Sequence, residues 1–94
     1  MLEKQIEKNV CDYARSKGCL VYKFTSPQRA AVPDRLFITP EGRHFFIEFK
    51  RSGQNPTPAQ EREHERLRNH KALVHVIDNV FYGITVIDEM MVIR

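Results

Sequence analysis

The period of the apolar positions changes several times along the chain, and each change marks an element. Leu2, Ile6, Val10, Tyr13 and Ala14 recur three and four residues apart, which predicts an amphipathic helix from Leu2 to Lys17. Gly18 stands just past its end, where a left-handed cap is usual. Cys19 to Phe24 is apolar and β-branched enough to be a strand. Asp34–Thr39 and Arg43–Lys50 are rich in aromatic and β-branched residues, and the three residues Pro40, Glu41 and Gly42 join them as a tight turn with glycine last. A polar loop, Thr25 to Pro33, precedes this hairpin, and a partly basic loop, Arg51 to Pro56, follows it. Thr57 then opens a helix running to about His70, with Pro58 as its first residue and Gln60 completing a capping box. Leu73 to Ile77 is a further buried strand, closed by the turn signal Asp78-Asn79. The tail from Val80 to Arg94 fits two patterns: it is β-branched, yet Val80, Ile84, Ile87 and Met91 also recur at helical spacing. The order αβββαβ predicts one α/β domain over residues 1–94, a mixed β-sheet flanked by helices.

The hairpin carries the chemistry. If Thr39 faces Arg43, antiparallel counting puts Asp34 opposite Glu48, and alternation puts Glu48 and Lys50 on one face. Two carboxylates and an ammonium then converge at the hairpin mouth. Like charges directly opposite in a sheet repel, and burying either acid unpaired is costly. Lys50 alone or a hard divalent cation would compensate. Magnesium binds through one or two carboxylates together with substrate phosphate oxygens, so an Asp-Glu pair suits it. Such an ion can activate a water, polarise a phosphodiester and neutralise transition-state charge. The competing reading is an ordinary hairpin with solvated charges, since a one-residue slip would flip the faces.

Pro33-Asp34 followed by Glu48-Phe49-Lys50 resembles the PD-(D/E)xK signature of metal-dependent nucleases with a restriction-endonuclease-like core. The surroundings sharpen the likeness. Tyr22 to Pro27, Val32 to Leu36, Phe46 to Lys50 and Pro56 to Gln60 come in the order and spacing of the VRR-NUC family, the virus-type replication-repair nuclease domain. The resemblance runs from about Glu3 to Asp78 and is closest to stand-alone, phage-type members. It implies a metal-dependent DNA endonuclease using Mg²⁺ or Mn²⁺. Asp34, Glu48 and the carbonyl of Phe49 would hold the ion, with Glu7 completing the set. Lys50 would position or activate the attacking water, and Gln60 would assist.

Two of these positions have structural readings of their own. Glu3 and Glu7 lie along one edge of the apolar stripe, and acids in a first helical turn are favoured by the helix dipole. The resemblance brings a glutamate of this helix into the site; Glu7 fits better, with Glu3 the alternative. Gln60 has a sufficient role as a helix cap, and the sequence reading sets that role in competition with the site. Family members often have glycine before Val-Pro-Asp, where this chain has Ala31.

Composition then bounds the partners. The chain has 94 residues, 41% hydrophobic and 10% aromatic, which is ordinary globular material. A formal charge of +3 is compatible with nucleic acid without being diagnostic. Lys23, Ser26, Arg29, Arg35 and Arg51 are the candidate DNA contacts, whereas Glu61 to Arg66 alternates in sign and reads equally well as a solvated helix face. Cys11 and Cys19 are too few for a disulfide framework or zinc site, and His44, His64, His70 and His75 lack ligand spacing. No membrane-length apolar run or leader pattern occurs, which predicts a soluble, cytoplasmic protein, consistent with a phage-encoded origin. The expected substrate is branched DNA, a four-way junction, cut by a homodimer whose contact draws on the apolar tail: Phe81, Tyr82, Ile84, Val86, Met90, Met91, Val92 and Ile93. A catalytically silent DNA-binding or assembly module, and an exonuclease of the same chemistry, are the rival functions.

Overall fold

The computed structural model describes residues 1–92. Its elements are α1 (Glu3–Ser16), β1 (Leu20–Lys23), β2 (Arg35–Ile38), β3 (His44–Phe49), α2 (Pro58–Asn69), β4 (Val74–Ile77) and α3 (Val80–Met91). The four strands form one mixed sheet in the order β1-β2-β3-β4, antiparallel except for the parallel pair β3–β4. That pair needs a crossover, and α2 supplies it.

Alternation in the strands divides the sheet into two faces. Phe37, Phe45, Ile47, Phe49 and Ile77 point to one side and form a core with Ile6, Val10, Cys11 and Ala14 of α1 and Val86, Ile87 and Met90 of α3. Phe37 and Phe45 stack at 5.1 Å between ring centroids. The other face carries Leu36, Phe46 and Glu48, and α2 covers its β3–β4 half. On the β1 side of that face Leu20 and Tyr22 remain about half exposed.

α1 ends as its sequence demands. Gly18 adopts φ +91°, and the Cys19 amide turns back to the Ala14 carbonyl at 3.0 Å. The ambiguous tail resolves as helix. Asn79 caps α3 by accepting the Tyr82 N–H at 2.7 Å, and Gly83 lets the helix lie directly against Val10. The expectation that the tail holds apolar surface in excess of the core is therefore corrected in part. Val86 and Met90 are core and Ile84 and Met91 are half-buried, while Phe81, Tyr82 and Val92 stay exposed. Ile93 lies outside the described residues.

Candidate active site

The β2–β3 register is the one the turn dictates. Thr39 donates its amide to the Arg43 carbonyl at 2.9 Å, Gly42 turns with φ +88°, and Arg35 pairs with Ile47. One residue further on, Asp34 faces Glu48. There the ladder opens: Asp34 Oδ2, rather than a backbone carbonyl, accepts the Phe49 N–H at 2.8 Å. The Asp34 backbone is held from the other side by the Phe24 N–H at 2.9 Å. Asp34 is thus fixed by both neighbouring strands.

Glu48 is only 2% exposed and sits in the middle of four groups. Its Oε2 accepts the Gln60 side-chain N–H at 3.2 Å and lies 3.9 Å from Lys50 Nζ. Its Oε1 is 3.6 Å from His64 Nε2, and neither of those buried atoms has a hydrogen-bond partner. Burial, reinforced by the Asp34 charge, pushes the Glu48 carboxyl up to about 8. Burial, with the Arg68 and Lys50 charges, pushes His64 below the usual imidazole range.

Gln60 fills both of the roles that the sequence reading set in competition. Its amide oxygen accepts the Thr57 N–H at 2.9 Å, its backbone N–H is capped by Thr57 Oγ1, and its amide nitrogen reaches Glu48. An amide has an acceptor and a donor at opposite corners, so one side chain serves helix and site together.

The glutamates of α1 divide differently. Glu7 Oε2 accepts from Arg35 Nε at 2.7 Å, on the sheet face opposite Glu48. Both residues are therefore engaged with each other, Glu7 away from the ligand position and Arg35 away from a free DNA contact. Glu3 is exposed, but its carboxyl is raised by partial burial and then by the charges of Asp34 and Glu7. It is the α1 acid in the electrostatic field of the site. Arg29, another expected DNA contact, donates to Glu63 Oε1 from Nε at 3.0 Å, and its Nη2 stands in the same ion pair at 3.0 Å. Lys23 lies opposite Arg35 on the α1 side, Ser26 is half-buried in the β1–β2 loop, and Arg51 is exposed beyond Lys50.

His64 is the site neighbour that sequence reasoning passed over. The signal was present: Gln60 and His64 stand four apart on one helix, so a face that carries the glutamine to Glu48 carries the histidine too. Among the described residues, no cluster of three or more His, Cys, Asp or Glu side chains has metal-binding geometry. The acid pair is the nearest approach to one.

No family model matches the chain. It is 49% identical over 65 residues to "Putative nuclease p44" of Acyrthosiphon pisum secondary endosymbiont phage 1, covering 69% of this chain and 70% of that one. A solved "VRR_NUC domain" superposes with a TM-score of 0.85 at 33% identity, covering 92% of this chain and 94% of the other. A second, "VRR_NUC domain protein", has the same fold at 19% identity, with a TM-score of 0.77 over 97% of this chain and 88% of that one. With the hairpin register, the Asp-Glu pair and these likenesses together, the chain belongs to the VRR-NUC domain family, as a phage-type member.

Proposed function

We propose that the protein is a metal-dependent DNA endonuclease whose reaction centre is Asp34, Glu48 and Lys50. The observation that carries this reading is the buried Glu48 carboxyl facing Asp34 across the hairpin, with an Oε1 that has no hydrogen-bond partner and a nearest ammonium 3.9 Å from its other oxygen. An anionic pair so enclosed is stable only if one acid is protonated or a cation joins it. The residues fit Mg²⁺ or Mn²⁺: Asp34, Glu48 and the Phe49 carbonyl would hold the ion, which supplies Lewis acidity and charge neutralisation at the scissile phosphate. Gln60 keeps Glu48 Oε2 occupied and leaves Oε1 for the ion. Lys50, mostly buried, holds an ammonium where it can orient a water or a phosphate oxygen. Glu3 contributes negative charge at the rim, in place of Glu7.

For the substrate, the reading is a four-way junction cut by a homodimer. The half-exposed Leu20 and Tyr22 and the exposed Phe81 and Tyr82 support a self-contact, since apolar patches of this kind mark interaction surfaces. Two copies related by two-fold symmetry match a junction of the same symmetry.

The test is cutting of supercoiled, linear and four-way DNA in Mg²⁺ or Mn²⁺, with light scattering to give the assembly. Asp34→Asn, Glu48→Gln and Lys50→Ala should each abolish cutting without unfolding the protein. Full activity in Glu48→Gln would sink the assignment, and a single-chain mass at micromolar concentration would end the dimer.

A further inference from the structure

The two flanks of α2 differ in charge. On one side a cleft of about 410 Å³ lies between the helix and the β1–β2 loop, lined by Arg29, Ala31, Ala59, Arg62, Glu63 and Arg66 among others. On the other, Glu61 and Glu65 line a cavity with Pro56, His64, Arg68 and Val76. The arginine of that acidic side is already engaged, donating to the Val74 carbonyl at 2.6 Å.

Within the basic cleft the charges are not equivalent. Glu63 is buried, and its Oε1 accepts from Arg29 Nε and pairs with the Arg29 charge. This pair fastens the loop to the helix and spends the cleft's one carboxylate. Arg62 and Arg66 are exposed, and neither is in an ion pair among the described residues. They stand one helical turn apart, a step suited to successive phosphates of one strand. Ala31 and Ala59 leave room for a backbone to approach. Gln60, the residue after Ala59, donates to Glu48, so the same turn of α2 serves the cleft and the acid pair.

We propose that this cleft is a DNA-backbone track, with Arg62 and Arg66 each neutralising one phosphate of the strand that flanks the cut. The proposal rests on the nuclease reading and adds a direction to it. DNA leaves the site along the Arg62–Arg66 flank of α2 and not along the Glu61–Glu65 flank, where like charge repels it.

The experiment measures binding of fluorescein-labelled duplex and four-way DNA in EDTA across a salt series. It compares the intact protein, Arg62→Gln/Arg66→Gln and Glu61→Gln/Glu65→Gln, with melting temperatures to establish folding. Each lost phosphate contact lowers the salt slope by about 0.9, so the arginine pair should lower it by nearly two and weaken binding about tenfold or more at 0.1 M salt. The glutamate pair should leave the slope unchanged. Ala59→Glu, which places an acid in the cleft without touching either arginine, should weaken binding as well. An unchanged slope in the arginine variant overturns the track, and so does an equal change in the glutamate variant. Metal-dependent cutting of a very short duplex separates the two readings. An intact protein that neither binds nor cuts DNA fails both, whereas one that cuts it with an unmoved slope fails the track alone.

Discussion

Replacing Glu48 by glutamine should make the metal-free protein more stable, by an amount that grows with pH. In the native chain the Glu48 carboxyl is pushed from the ordinary 4.5 up to about 8 by burial and then by Asp34. Across that window the folded protein keeps a proton that the unfolded chain has lost. Unfolding therefore releases it, and stability falls as pH rises, by about 1.4 kcal/mol per unit. Over the whole window the loss is on the order of 3–5 kcal/mol, set against a total stability of roughly 5–15 kcal/mol for a small domain. Glutamine has no proton to lose. Its carbonyl can accept from Gln60, and its amide can donate to the empty His64 Nε2 or to Asp34. Urea unfolding of both proteins in EDTA from pH 5 to pH 8.5 would measure the effect. Near pH 5 the curves should nearly coincide, and by pH 8 the variant should lead by several kcal/mol while being dead as a nuclease. Subtracting one curve from the other cancels titrations that do not touch Glu48, such as His75, whose lowered pKa weakens the fold as pH falls through its ordinary 6.5. Parallel curves across the range would refute the reasoning, because they would mean that Glu48 ionises in the fold as freely as in water.

Mg²⁺ or Mn²⁺ should raise the melting temperature of the native protein, more at pH 8 than at pH 6, and Asp34→Asn should lose most of that rise; equal rises in both would place the ion elsewhere. Gly83→Ala sets a helix-propensity gain of about 1 kcal/mol against an overlap, since the new Cβ would lie 2.4 Å from Val10 Cγ2. Val10 is fully buried and β-branched, so it yields poorly, and overpacking should win with a net loss of roughly 1–2 kcal/mol in chemical denaturation, reversed in sign when Val10→Ala is added. Ala31→Gly should stabilise by about 1 kcal/mol and retain cutting, because Ala31 holds φ +66°, a left-handed conformation that costs a residue with a Cβ roughly 1–2 kcal/mol.

The sequence was most legible where a local rule determines geometry. A three-residue turn ending in glycine fixes the hairpin register, and the register alone brings Asp34 to Glu48 and sets Lys50 on the same face. The cap at Gly18 and the capping box at Thr57 are equally local. The tail was ambiguous because its residues satisfy both periods, and what decides for helix is tertiary: Gly83 against Val10 and the Asn79 cap. The choice between Glu3 and Glu7 was closed for a similar reason. Both lie on the same helix edge, and only the sheet shows that Arg35, pointing to the α1 face, takes Glu7. Arg29 was read as a DNA contact because its loop passes the hairpin mouth; its ion pair with Glu63 was hidden, because that partner lies 34 residues away on α2 and no local pattern joins a loop arginine to a buried helix glutamate. Ala31 shows the reverse. The departure from the family's glycine marked a real backbone constraint, visible as the positive φ.

The double engagement of Gln60 has a consequence for how this site tolerates change. With its oxygen committed to the Thr57 N–H, the amide cannot flip, so the corner facing Glu48 is always a donor. The first turn of α2 thereby acts as a gauge that sets which carboxylate oxygen is occupied and which is free. Residues Arg51 to Asn55 are exposed and link the hairpin to this gauge, fastened by the Gly53 N–H to Asp78 and by Ser52 to Met1 rather than to the acid pair. Their length and composition can drift among relatives with little effect on the acid pair, while Thr57→Pro, which never touches Glu48 but removes the N–H that holds Gln60 Oε1, would be felt there as a freed amide.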